Sequence, residues 1–452
     1  MKLHLNMRKI TTIAVVVLFL VVVNLSVKLN PKICPGRSFL PVGAFPNIES
    51  RVHFKESHAI AAWARRYNAD CVMCHTMVPR LNQTGLKFRR LGYQMPDEFD
   101  NREHGYEKTW EELSKFQDYV SVRARSGAIY RRQSGVNTFS FSDAGAPPPD
   151  MTLFYAGPIS RNISMFSEFA FDPDAAAFEV GQAMLHFGTS DRFFTVRSGK
   201  FHDFGKVGAG GLDRPIGISF NQAVTKFING YRPRTDQIGV EAGYSWGGFT
   251  GLVQATNGIK PTGDAVGGEV DPNTQKDIGL LLEYLIPNHE ASVSALFVYG
   301  QAPTPQNNAG AAVAGAVPTK YARGYLFADY TFESIGLKPI VGFSIGSDNQ
   351  FITGIGTTKA ALTSGSRSTS WITFAEFDQR ITDTLYGIAR FNYFDPTNKA
   401  ESSAGTARTW VGTGGFAWSF QRYGKLTAEY TVTDNKFQNT AHAVNAELQV
   451  NF

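Results

Sequence analysis

With 452 residues the chain is too long for one ordinary globular domain, and two unequal parts are expected. Lys and Arg total 44 against 39 Asp and Glu, a formal net charge of +5. No block of one sign is long enough to imply a nucleic acid or a strongly anionic surface as partner.

The first stretch places Lys2, Arg8 and Lys9 ahead of the apolar run from Ile10 to Val23. That is the layout of an export signal, assigned to residues 1–30. No clean small-x-small cleavage site follows, so an uncleaved inner-membrane anchor is the rival reading. No later stretch has the length and apolarity of a transmembrane helix, which leaves strands as the other way to cross a bilayer. Cys34 is an odd third cysteine with no partner and no lipobox around it.

From Pro31 to Val52 the Pro, Gly and Asn content predicts an exported linker. Ser57 can cap a helix over His58 to Tyr67, which delivers the chain to Cys71-Val72-Met73-Cys74-His75. C-x-x-C-H is the attachment signal for a c-type haem: two thiols form thioethers with the porphyrin vinyls, and the adjacent imidazole ligates iron. A disulfide or half a zinc site is the competing use, but no second Cys pair exists to complete a four-cysteine cage. The expected cofactor is one covalent haem c, with Cys71 and Cys74 as attachment residues and His75 as the proximal ligand. The distal position stays open. Met95 is the first candidate, because a downstream thioether can swing back over the ring; His58 and His104 are alternatives, and so is an open position.

Beyond His75, residues from Pro79 to Arg90 predict a second short helix with Leu81, Gly85 and Phe88 on one side, toward the haem face. Arg65, Arg66, Arg89 and Arg90 are candidate partners of the haem propionates, and a solvated basic face is the plain alternative.

The string Trp63-Ala64-Arg65-Arg66-Tyr67, then the C-x-x-C-H, then Pro79-x-Leu81-Asn82-x-x-Gly85-x-x-Phe88-x-x-x-Gly92-Tyr93, resembles the fused monohaem cytochrome-porin family. In that family an exported single-haem segment precedes an outer-membrane β-barrel, and members include outer-membrane iron oxidases of iron-oxidising bacteria. The motif resemblance runs from Trp63 to Pro96, and the rest of the chain matches in architecture. It implies extracellular Fe(II) as electron donor and a periplasmic cytochrome c as acceptor.

After Phe116 the pattern changes to period two. Val120, Val122 and Ala124 alternate with Ser121, Arg123 and Arg125, and Val444 to Phe452 alternates without a fault and ends on an aromatic. Segments of about ten residues, separated by turn signals, fall near 119–130, 151–160, 162–171, 177–188, 192–200, 237–246, 249–257 and 276–286. Eight more follow near 291–301, 321–332, 337–347, 369–381, 385–394, 408–420, 425–434 and 441–452. Short connections then alternate with longer ones, the longer including 131–150, 201–236, 258–275, 302–320, 348–368 and 395–407. The prediction is a mainly β protein: a transmembrane antiparallel barrel of about 16 strands over 117–452, preceded by a small helical monohaem cytochrome c segment over 31–116. Lipid cannot hydrogen-bond a strand edge, so such a sheet must close. Its inward face is expected to carry Arg123, Arg125, Glu168, Glu241, Glu283 and Glu447, which would line water or grip a plug.

Segment 201–236 is too long for a plain loop, and either folds into the lumen or stays a mobile surface loop. Low-complexity 306–312 is expected to be a disordered outer loop. No Walker, H-E-x-x-H or G-x-S-x-G motif is present.

Three functions remain. The first is electron transfer across the bacterial outer membrane through one haem held at the periplasmic side or in the lumen; as an enzyme it would be an Fe(II):cytochrome c oxidoreductase. The second is a diffusion porin with a structural or regulatory haem plug. The third is an anchored periplasmic cytochrome with a soluble β-domain.

Overall fold

The computed structural model describes residues 61–67, 73–77, 80–94, 119–141, 150–160, 162–172, 177–189, 194–202, 216–225, 236–258, 275–306, 311–353, 361–397, 407–420, 424–435 and 438–451. The chain divides into two units, Met1–Phe54 and Lys55–Phe452, and all described residues belong to the second.

Near the N-terminus a helix at Ala61–Arg66 precedes two short antiparallel strands, β1 (His75–Met77) and β2 (Arg80–Leu81), and a second helix at Gln83–Arg90 follows. The remainder is sheet. In chain order come β3 (Val120–Gln133), β4 (Val136–Phe141), β5 (Asp150–Pro158), β6 (Ile163–Asp172), β7 (Ala177–Gly188), β8 (Phe194–His202), β9 (Asp236–Trp246) and β10 (Phe249–Thr256). Next are β11 (Asp277–Leu285), β12 (Ala291–Ala302), β13 (Thr319–Tyr330), β14 (Leu337–Asp348), β15 (Phe351–Thr353) and β16 (Ala361–Ser364). Last are β17 (Ser368–Arg380), β18 (Leu385–Asp395), β19 (Thr409–Phe420), β20 (Gly424–Asn435) and β21 (Gln438–Asn451).

All but β1, β2, β15 and β16 form a closed barrel in which neighbours in sequence are neighbours in the wall. β3 pairs with β5 over Val120–Arg125 and with β4 over Ala128–Gln133, so β4 and β5 share one place in the ring. The wall therefore has sixteen antiparallel positions among the described residues. Closure is made by the last strand on the first, with Asn451 opposite Arg123.

Burial identifies the two faces. Along β11, Leu280 and Leu282 are 40% and 42% exposed, while Leu281 and Glu283 between and beside them are each 1% exposed. The same inversion recurs around the ring. Phe297, Ile345, Phe391, Phe416, Trp418 and Val444 face outward, and Ser294, Ser344, Glu376, Arg390 and Glu447 are buried inside. A water-soluble protein does the reverse; apolar outside with polar inside is the signature of a sheet solvated by lipid. On the outer face Phe343, Trp371 and Tyr393 step across neighbouring strands with ring centroids 6.1 and 5.3 Å apart, part of an aromatic girdle.

One end of the barrel carries tight turns, as at Trp246–Phe249, Leu285–Ala291 and Arg380–Leu385. Most connections at the other end are long. Segment 131–150 departs from the expected loop, because β3 runs on to Gln133 and reverses into β4 through Ser134 and Gly135. Both have positive φ, 52° and 79°, the backbone of a hairpin turn that matches strand twist. The expected disorder at 306–312 is also corrected at its ends: Gln306 bridges to Ala312, and the Val313 N–H donates to the Pro305 carbonyl at 2.9 Å. Polyamide groups near a packed surface pair rather than stay loose, and buried Val313 gives this stretch its anchor.

Of the two readings for segment 201–236, the described part takes the inward one. Residues 216–225, with a short helix at Gln222–Thr225, lie against the inner faces of β17, β18 and β20. Ala223 there joins an apolar cluster with inward-facing Leu281, Phe327, Ile372, Phe374 and Phe394.

Candidate functional site

The C-x-x-C-H turn is shaped by three residues downstream of it. The Asn82 N–H donates to the Cys74 carbonyl at 3.0 Å, and its side-chain Nδ2 donates to the Met73 carbonyl at 3.1 Å. The Asn82 Oδ1 accepts the Gly85 N–H at 2.9 Å, the bond of a helix N-cap. One side chain thus starts the Gln83–Arg90 helix and ties it to the turn. Gly85 completes the fit: a Cβ there would overlap the Cys74 carbonyl oxygen, and would lie 2.9 Å from Leu81 Cδ2. Pairing of His75 with Leu81 closes the loop.

This segment is seated inside the tight-turn end of the barrel and makes contact around the ring. On one side, Phe88 and Tyr93 pack into a cluster with Phe154, Phe166, Met184 and Phe201 of the wall, with Trp63 and Tyr67 against it. Tyr93 is sandwiched between Trp63 and Phe166, with centroids 4.8 Å away on both faces. Arg66 lies over the Tyr119 ring at 4.5 Å. Gln83 reaches the β11–β12 turn: its N–H donates to Glu290 at 3.1 Å, and its side-chain amide donates to the carbonyls of Ile286 and His289.

Two arginines anchor it to lumen carboxylates. Arg90 pairs with Glu283 and donates to Thr250 Oγ1 at 2.9 Å. Arg80, with no exposed surface, pairs with Glu376 and, at 3.2 Å, with Asp378. Burial pulls the Arg80 guanidinium toward losing its proton, but the Glu376 and Asp378 carboxylates outweigh that and hold its pKa above the ordinary value.

The lumen charges expected from alternation are in place. Arg123 pairs with Glu168 at 3.7 Å, Arg125 with Glu447 at 3.9 Å and Arg197 with Glu241 at 2.5 Å. Glu283 grips the plug. Arg90, a propionate candidate in the sequence, spends its charge on Glu283, and Arg66 lies on an aromatic ring. Sequence reasoning missed Arg80 and Gln83; a charged residue two positions before a helix cap carries no local signal of a partner 298 residues away.

Cys74 and His75 are both half-buried in the seated segment. Cys71, His58, Met95 and His104 lie outside the described residues, so the second thiol and the three distal candidates are not placed. The described residues suit a haem. The donor set is a thiol next to an imidazole, and the Trp63 indole N–H and the Thr76 hydroxyl are buried with no hydrogen-bond partner. Buried donors without acceptors are costly, and a propionate supplies acceptors for both.

No protein-family model matches the chain, and no curated protein matches it. Among solved structures, the barrel is similar to the anion-selective porin from Comamonas acidovorans, with TM-score 0.52 and 13% identity over 74% of this chain and 98% of that one. The barrel has the porin fold. A likeness of the same order links it to OprB of Pseudomonas putida, with TM-score 0.52 and 9% identity over 76% of this chain and 96% of the other. The outer-membrane channel DcaP of Acinetobacter baumannii gives TM-score 0.51 and 12% identity over 74% and 96%. Porin-type outer-membrane barrels are thus the structural neighbours.

Proposed function

We propose that the chain is a plugged porin-type barrel of the bacterial outer membrane that carries electrons through a single c-type haem attached at Cys71 and Cys74. The observation that supports this most is the seating of the Cys74-His75 turn inside the tight-turn mouth, fixed by Arg80 on Glu376 and Asp378 and by Arg90 on Glu283. In this reading the tight turns face the periplasm and the long loops face outward.

A bound haem supplies reversible one-electron transfer. The chain's own residues do the rest. Cys71 and Cys74 would hold the group covalently, His75 would ligate its iron, and Met95, His58 or His104 would be the candidates for a second ligand. The buried, unpartnered donors of Trp63 and Thr76 would be available to its carboxylates. The aromatic cluster of Phe88, Tyr93, Phe154 and Phe166 keeps water from that side of the segment. Extracellular Fe(II) as donor and a periplasmic cytochrome c as acceptor are carried by the family resemblance alone. Such an arrangement would let the insoluble ferric product form outside the cell.

The test is anaerobic stopped-flow mixing of oxidised, detergent-purified protein with Fe(II), following the reduced-haem band. Rapid stoichiometric reduction, lost in His75→Ala, is expected. Reduction by dithionite but not by Fe(II) would overturn iron as donor and leave the haem in place.

The fold comparison by itself favours a second reading, a diffusion porin whose haem segment is structural or regulatory. Planar-bilayer conductance separates the two. A porin passes ions with the segment seated, whereas a plugged carrier opens only when Arg80 and Arg90 are replaced.

A further inference from the structure

Glu376 is shared by two segments that enter the lumen from different places in the chain. From the plug, Arg80 pairs with one of its oxygens. From the wall, Arg390 Nε donates to the other at 2.8 Å. Arg390 in turn donates through Nη1 to the Ser219 carbonyl at 2.6 Å and to Ser219 Oγ at 3.2 Å, both on the inward segment 216–225. On that segment the Asn221 Oδ1 accepts the Ala223 N–H at 2.9 Å, which starts the short helix. Around the quartet the inward segment is held by wall groups: the Ser219 N–H donates to Glu429 at 2.8 Å, and Lys425 Nζ donates to the Ile216 carbonyl at 2.6 Å.

The quartet balances: Arg80 and Arg390 against Glu376 and Asp378, with every side chain at most 1% exposed. We propose that this quartet is a latch coupling the plug to the inward segment, so that unseating one loosens the other. The physical reason is charge. With Arg80 withdrawn, Asp378 loses its 3.2 Å partner and Glu376 keeps the Arg390 guanidinium. Arg390 must then turn to serve both, and the bonds it gives up are those to Ser219. A buried charge without its partner is too costly to persist, so water must enter where residues 216–225 now pack. The latch acts whatever electron donor the protein serves, and its test is independent of haem chemistry.

Hydrogen–deuterium exchange on the full-length protein in detergent reads the coupling directly. Arg80→Met lies outside residues 216–225 in the chain, yet exchange there is expected to rise about tenfold, within the range of ordinary coupling between sites. Coupling is reciprocal, so Asn221→Ala, which lies on the inward segment, is expected to speed exchange at 80–94. Glu376→Gln should loosen both at once. Heat-modifiable gel migration verifies that each variant keeps its barrel, and Arg80→Lys, which keeps the charge and loses the fork, serves if Arg80→Met does not fold. Faster exchange at 80–94 in Arg80→Met with 216–225 unchanged, together with no effect of Asn221→Ala on 80–94, overturns the latch.

Discussion

Gly85 faces the Cys74 carbonyl so closely that no Cβ fits between the Gln83–Arg90 helix and the C-x-x-C-H turn. Gly85→Ala must push the helix or the turn, at a cost of about 1–3 kcal/mol for overpacking. On the proposed function, the expected outcome is a barrel that still migrates as folded on unheated gels but has a lower haem-stain yield per polypeptide. Asn82→Ala, which loses the cap and the side-chain tie to the Met73 carbonyl but keeps the backbone bond to Cys74, should act in the same direction by about 1 kcal/mol.

Glu283→Gln leaves the Arg90 guanidinium inside the lumen with only Thr250 as its named partner. Breaking one side of such a pair costs about 3 kcal/mol, which should appear as faster proteolysis of the plug while the wall stays resistant. The double variant Arg90→Met with Glu283→Met removes both charges and should recover most of the protection; a double-mutant cycle measures the pair itself.

Adjacent residues on β11 give opposite answers to one substitution. Leu282 faces lipid, and Leu282→Arg should destabilise the barrel by about 2–4 kcal/mol in denaturant titrations from vesicles. Leu281 faces the inner apolar cluster, so Leu281→Ala should instead cost about 2–5 kcal/mol through a cavity, with no dependence on bilayer thickness.

Glu290, in the tight turn under Gln83, has its carboxyl pKa raised by burial, against the pull of the Gln83 N–H and Lys338. The folded state therefore binds this proton more tightly than the unfolded state. The contribution is fully present below the ordinary carboxylate pKa and is lost as pH rises through the raised one. Protection of the plug should fall over that window in the wild type, and Glu290→Gln should flatten the change.

Strand positions were legible because most wall strands alternate between one face in lipid and one in the lumen, as β11 does without a break. Predicted 177–188 matches β7 at Ala177–Gly188, and 385–394 differs from β18 by a single residue. The turn at Ser134-Gly135 was hidden because its flanks, Arg131 to Gln133, read as polar loop although they pair with β4 and lie at the end of the wall. At the site, the C-x-x-C-H and the cap at Asn82 are local and could be read off. The seat could not. Arg80 and Arg90 look like surface charges until the carboxylates 298 and 193 positions away are folded beside them.

Closure of β21 on β3 sets an order of events in biogenesis. The segment bearing Cys74 is synthesised before any wall strand, yet Glu376 and Asp378, which seat it, belong to β17, and the ring is complete only at its final strand. Until then β3 has an open edge that lipid cannot satisfy, so a partial sheet has no stable place in the bilayer. The plug is made first and seated last. On the proposed function, attachment of the haem at this turn would have its opening while the chain is in transit, before the barrel closes around it.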